Sequence, residues 1–244
     1  MTAYGVDGCK CGWLWIGLTD EAGCARFSHG VVTTIDLFAD AIAASDRVFI
    51  DIPIGLRDRG TAGRGCDAAA RKLLGRRASS IFNAPLRDII EETDYTAANA
   101  RSRELSGKGM SKQSFFIMPK ICEVDAVMAS HPRARDCIVE SHPELCFWGV
   151  SGGVGLRHGK KTREGFAERL ALLEMLRPGI GADVEAVMAA YPRRDVARDD
   201  ILDAAVLALC ANDAVSLRCA PVEPESDATG LPMQIVYGYH EPIE

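Results

Sequence analysis

Apolar residues gather in short runs near the N-terminus and in helical stripes further on. Residues 3–7 (AYGVD) read as a short buried strand that ends on an aspartate, Gly8–Gly12 as a turn, and Trp13–Thr19 (WLWIGLT) as a second strand. Asp20–Gly23 is a polar turn leading to a third strand near Ala25–Val32. Two closely spaced turns after a first strand imply an antiparallel meander. Thr33–Thr34 then opens a helix with Ile35, Phe38 and Ile42 close to a 3.6-residue period. Arg47–Ile50 (RVFI) is a fourth strand running into Asp51-Ile52-Pro53-Ile54-Gly55. A right-handed crossover through the preceding helix brings this strand parallel to the first.

Residues 56–135 have a different texture: basic, rich in Gly and Ser, and helical where periodic, as in Cys66–Leu74 and Gln113–Met128. They read as an insertion outside the sheet. Cys137–Glu140 (CIVE) resumes as a fifth strand. Helices follow with Phe166, Leu170, Leu173 and Leu176 on one stripe, near Asp183–Ala190, and from Asp199–Asp200 through Leu209. The tail PMQIVYGYH is either a strand or extended coil. Early antiparallel strands followed by crossovers exclude a doubly wound dinucleotide-binding sheet. They predict one α/β domain over 1–244, with a mixed five-stranded sheet in the order 3-2-1-4-5, flanked by helices. The helical insertion, about 56–135, falls between strands four and five.

With 48% apolar and 25% charged residues, the composition is that of an ordinary globular protein. No stretch approaches the ~20 apolar residues needed to span a bilayer, so no membrane role is expected. The start MTAYGVDGCK lacks a basic and apolar signal pattern, which predicts a cytoplasmic setting. Nine scattered cysteines then read as free thiols, and Cys9-Lys10-Cys11 is a poor zinc half-site. The net charge of −6 argues against a wholly basic nucleic-acid binder. Residues 56–120, however, carry 13 Lys/Arg against 7 Asp/Glu. An acidic body with one basic segment suits a protein that meets a polyanion at one face, and equally a solvated helical insert.

Asp7 and Asp51 each end a buried strand, where open α/β sheets place their ligands. Two carboxylates ending side by side repel unless protons or a cation intervene. Asp200 and Asp203 stand i,i+3 apart on one helical face, while Asp199 reads as the N-cap. Glu140 ends the fifth strand, followed by His142, a candidate proton shuttle or hydrogen-bond partner. Each acid alone has an ordinary explanation as a turn or cap residue; their conjunction points to a divalent cation with hard oxygen ligands, Mg2+ or Mn2+. Gly159-Lys160-Lys161-Thr162 lacks the glycine spacing of a phosphate-binding loop and reads as a basic helix start.

In order, GVDGCKCGW, DIPIGL, CDAAARKLLGRRASSIF, GKGMSKQSFFIMPKICEVD, ESHPELCF, GKKT and DDILDA resemble the predicted nucleases catalogued as domain of unknown function 429. The resemblance covers nearly the whole chain. It implies the ribonuclease H-like fold, near the Holliday-junction resolvases, and a metal-dependent nuclease. On that resemblance Asp7 matches the first-strand aspartate, Asp51 stands where resolvases carry a glutamate, and Asp200 and Asp203 match the paired acids of the final helix. Glu140 lies outside the core resolvase set and is expected to assist as an auxiliary ligand or through its neighbours. The implied mechanism is two-metal phosphodiester hydrolysis, with Asp7 bridging ions ~4 Å apart.

Lys10, Arg76, Arg77, Ser79, Ser80, Lys108, Lys120 and His142 are the candidate contacts to a DNA or RNA substrate. Phe82 and Phe115 read first as core residues, with stacking on bases as the alternative. Junction cutting would want a twofold homodimer. Three other readings stay open: a phosphotransferase, a non-catalytic nucleic-acid- or nucleotide-binding protein, and a hydrolase of a small phosphoester.

Overall fold

The computed structural model describes residues 1–21, 24–43, 46–61 and 63–241. The first strand, β1 (Thr2–Cys9), folds back through a tight turn onto β2 (Gly12–Glu21), which pairs antiparallel with β3 (Cys24–Val32). Helix α1 (Ile35–Ala39) crosses to β4 (Arg47–Ile50), parallel to β1. Between β4 and the next sheet strand lie α2 (Gly65–Leu74), two short 3-10 helices (Gly75–Ser80 and Arg87–Ile89), α3 (Tyr95–Ser106), α4 (Lys112–Ser130) and α5 (Pro132–Cys137). Strand β5 (Ile138–Glu140) then pairs parallel with β4. The sheet order is β3-β2-β1-β4-β5, as the hydrophobic pattern predicts. After β5 come α6 (Pro143–Val150), α7 (Arg163–Leu176), α8 (Ile180–Ala190) and α9 (Arg198–Ala211). Strands β6 (Ser216–Ala220) and β7 (Ile235–Tyr239) form a separate antiparallel pair, joined to the end of β5 by a Ser141–Val236 bridge.

Some boundaries differ from expectation for clear reasons. β1 does not stop at Asp7. Its parallel pairing with β4 ends at Val6–Ile50, but its antiparallel pairing with β2 continues through Asp7–Leu14 to Cys9–Gly12. Asp7 is therefore at the edge on one side and within the ladder on the other. Helix α1 ends at Ala39, although Ile42 beyond it is buried. Cys137 belongs to α5, which Pro132 starts at its first position, so β5 keeps only three residues.

Both faces of the sheet are covered. On one side α9 lies across β1, β2 and β4, and its segment Ile201–Ala211 is buried all round, as its nearly unbroken apolar sequence requires. Gly5 makes this contact possible: a Cβ there would stand 2.0 Å from the Ala204 carbonyl oxygen. The other face packs Val6, Val48 and Ile50 against Ile35 and Phe38 of α1 and Ile121, Val124 and Val127 of α4. The segment between β4 and β5 is thus not a detached lobe. Its α2 joins the α9 side through Cys66, Ala70 and Leu74, while α4 builds the opposite side. No helix among the described residues is long and apolar enough to cross a membrane.

Candidate active site

The three parallel strands end together. The Asp51 N–H donates to the Val6 carbonyl (3.0 Å) and the Ser141 N–H to the Ile50 carbonyl (2.9 Å), so the ladder carries on one residue past β4 on each side. Asp7, Asp51 and Glu140 are held at this edge, and the close approach at Gly5 sets the start of α9 above it. One cavity of about 410 Å³ is consequently lined by Asp7, Asp51, Glu140, Asp200 and Asp203, with His142 and Lys160 among its other walls.

Four of these acids oppose one another. Burial pushes the Asp7 carboxyl well above the usual carboxylate range, and the charges of Asp51, Asp203 and Asp200 push it further. Asp51 is raised by burial, with His142 and Lys160 pulling against it. Burial lifts Asp203 to about 6, against the pull of Lys160, whose Nζ donates to its Oδ2 at 2.8 Å. Asp200 is raised by burial too, but its carboxylate accepts from the Ala197 N–H (2.9 Å) and closes the first turn of α9. Asp200, not Asp199, therefore serves the helix start; Ala197 is the N-cap, and Asp199 lies 3.5 Å from the Lys160 ammonium. Burial alone would lower the Lys160 pKa. The charges of Asp203, Asp7 and Asp51 outweigh that and hold it above the ordinary lysine value.

A family model described as "Protein of unknown function (DUF429)" matches residues 5–226. The chain belongs to the DUF429 family. Every acid of the cavity falls inside the DUF429 match. Among curated proteins and among solved structures, nothing matches the chain.

In this DUF429 chain Glu140 has a different setting from the other acids. The Arg64 guanidinium forks onto it, donating through Nη2 to Oε1 (2.6 Å) and through Nη1 to Oε2 (2.7 Å), and the Ile54 N–H adds a third bond at 2.7 Å. Burial pushes the Glu140 carboxyl up to about 7, with Arg64 and the Ile54 N–H pulling the other way. Arg64 also binds Asp67 Oδ1 at 2.6 Å. Among the described residues, ligand atoms of three groups come within 4.8 Å of one another at Cys66, Asp67 and Glu140 alone. A buried guanidinium already fills the centre of that trio, so it is an ion-pair network and not a cation site. Of the two parts expected for Glu140, auxiliary ligand or support through its neighbours, this setting favours the second.

The expected substrate contacts separate into three groups. His142 and Ser80 line the acidic cavity, and Nδ1 of His142 is buried without a hydrogen-bond partner among the described residues. Ser79 and Lys108 line a neighbouring cavity. The others turn elsewhere. Lys120 donates to the Gly12 carbonyl (2.6 Å) and lies over the Trp13 ring at 4.2 Å, bracing the β1–β2 turn. Arg77 donates to the carbonyls of Leu156 and His158 and approaches Glu144 at 3.5 Å. Lys10 is exposed on the β1–β2 turn and Arg76 on the first 3-10 helix, both outside the lining of the cavity. Much of the basic excess is consumed internally: Arg57 pairs with Glu225, Arg87 with Asp125 and Asp227, and Arg101 with Glu104. Two cations that line the cavity escaped sequence reasoning, Arg64 and Lys160. Arg64 had no local signal, and Lys160 sat in the glycine-lysine turn read only as a helix start, where Thr162 does cap α7.

Proposed function

We propose that this DUF429 chain is a divalent-metal-dependent phosphodiester hydrolase, a nuclease, built on a ribonuclease H-like sheet. One observation carries the reading: Asp7, Asp51, Asp200 and Asp203, from two strand ends and one helix, crowd a single cavity in which burial raises every one of them and repulsion within the set adds to it at Asp7 and Asp203. A fold tolerates such destabilising charge where function needs it. The donor set fits Mg2+ or Mn2+, which prefer hard oxygens. Among the described residues these acids do not form a trio of ligand atoms within 4.8 Å of one another, so a bound Mg2+ would complete its shell with waters and substrate phosphates. Bound among these carboxylates, the metal would activate a water and polarise a phosphoryl oxygen.

The chain's own residues supply the rest. Asp7, which feels the charges of Asp51, Asp200 and Asp203, would hold the metal together with them. The Lys160 ammonium occupies the cationic position beside Asp203 and offers its other N–H groups to a phosphate oxygen. His142 presents a free ring nitrogen at the cavity wall, able to hold or hand over a proton near the scissile bond. The sheet order β3-β2-β1-β4-β5 supports the fold assignment, and a cytoplasmic setting goes with the same reading. Nucleic acid, DNA or RNA, is the proposed partner.

The test is a manganese titration of the wild-type chain and of Asp7→Asn, followed by cleavage assays on single strands, duplexes and junctions. Saturable Mn2+ binding lost in Asp7→Asn, with Mn2+-dependent cleavage, is the expected result. No binding at millimolar Mn2+ overturns the metal mechanism.

A further inference from the structure

Next to the acidic cavity is a second one of about 660 Å³, inside the span of roughly 300–1,000 Å³ typical of ligand pockets. It is built entirely by the segment between β4 and β5. Ile81, Phe82 and Gln113 line both cavities, so the two share a wall. Their linings differ sharply in charge. Seven carboxylates line the acidic cavity against the two cations Arg64 and Lys160. The second is lined by Arg71 and Lys108, and among the described residues by no aspartate or glutamate.

The polar groups of this second cavity are partly uncommitted. The Gln113 amide and the Ser79 hydroxyl have no hydrogen-bond partner among the described residues. Lys108 Nζ donates to the Thr61 carbonyl at 3.2 Å, which fixes the ammonium at the rim and leaves its other N–H groups open. Phe82 is half-buried, with its ring on the shared wall.

We propose that this cavity is a subsite for one unpaired nucleotide, the unit next to the phosphodiester that enters the acidic cavity. The inference rests on the hydrolase reading above and narrows it to single-stranded substrate. A base can stack on Phe82 from within the cavity, while Gln113 and Ser79 meet its polar edge. Lys108 meets the adjoining phosphate, in a lining without carboxylates to repel it. A base still paired in a duplex cannot enter such a cavity unless it is extruded.

The experiment measures anisotropy of fluorescein-labelled hexathymidylate on the full chain in EDTA, against the matching adenine–thymine duplex. The single strand is expected to bind more tightly. Ser79→Glu, at an exposed position, is expected to weaken it by roughly tenfold, and Lys108→Glu comparably. Phe82→Leu, which keeps an apolar side chain on the wall, is expected to cost roughly tenfold through lost stacking. Thermal melts and Mn2+ titrations of each variant should match the wild type. Undetectable hexathymidylate binding, duplex binding as tight as single strand, or unchanged affinity in Ser79→Glu overturns the subsite. Because these assays contain no metal, failure of Mn2+ binding in the wild type would sink the hydrolase reading separately.

Discussion

Glu140 and Asp203 show how similar acids at one cavity take different work from their neighbours. Glu140 is 5% exposed and tied to an Arg64 that is 4% exposed, so removing one charge leaves the other buried. Glu140→Gln should therefore cost about 3 kcal/mol in urea unfolding, while Mn2+ affinity stays at the wild-type value. A loss of Mn2+ binding without a loss of stability would return Glu140 to the ligand set. Asp203 predicts a pH effect. Its folded pKa, near 6, lies above the ordinary aspartate value, so protonation favours the folded state. The metal-free protein should gain stability as pH falls from neutral toward 5 and lose it as pH rises through about 6. Mn2+ affinity should run the opposite way, weakening in acid as protons compete for the same oxygens. Parallel melting curves with and without Mn2+ across that window test both. The acids were legible in the sequence because each stands near the end of a strand or the start of a helix, but their cations were not. Arg64 meets Glu140 across 76 positions and Lys160 meets Asp203 across 43, separations over which no local pattern operates.

Strands and helices set the distances between those side chains, and the contact of β1 with α9 matters most. Gly5 and Asp7 share a face of β1 by the two-residue period of a strand, so the glycine that admits α9 also places its first turn over Asp7. A methyl at Gly5 meets the Ala204 carbonyl and the Ala208 N–H, both backbone, and neither can rotate away. Gly5→Ala should lower stability by at least about 2–3 kcal/mol and weaken Mn2+ binding in whatever remains folded, because Asp203 moves with its helix. Unchanged Mn2+ affinity in that variant would separate α9 from the site. The sheet order was readable at this scale because strand alternation, two tight turns and one crossover rule leave few arrangements. The β6–β7 pair was not: Ser216–Ala220 is a mostly exposed segment without an alternating stripe, and its pairing depends on a tail about twenty positions away. Likewise the insertion looked separate from the core because its basic residues dominate the composition, yet α2 buries its apolar face in the α9-side core beside α6 and the β6–β7 pair, and α4 builds the core on the opposite face.

For the whole molecule, the acidic cavity is a place where folding and function pull in opposite directions. Small net stability is the remainder of large opposing terms, so a few repelling buried charges are a substantial fraction of it. Asp7 is 8% exposed and faces Asp51, Asp200 and Asp203, and among the described residues nothing bonds its carboxylate as Arg64 bonds Glu140. An amide of the same shape removes the repulsion and the burial of charge together. Asp7→Asn should therefore raise the melting temperature of the metal-free chain, by about 2–6 °C for a gain of about 1–2 kcal/mol in a domain of this size. The gain should be larger at pH 8 than at pH 5, because a pKa raised above the ordinary aspartate value lets acid remove more of the Asp7 charge. Added Mn2+ should stabilise the wild type and leave the variant unmoved. Calorimetry of both proteins at the two pH values, with and without Mn2+, distinguishes the alternatives. A variant that melts lower in EDTA would make Asp7 a structural anion that the fold requires, and the crowded carboxylates would then need an explanation other than a cation.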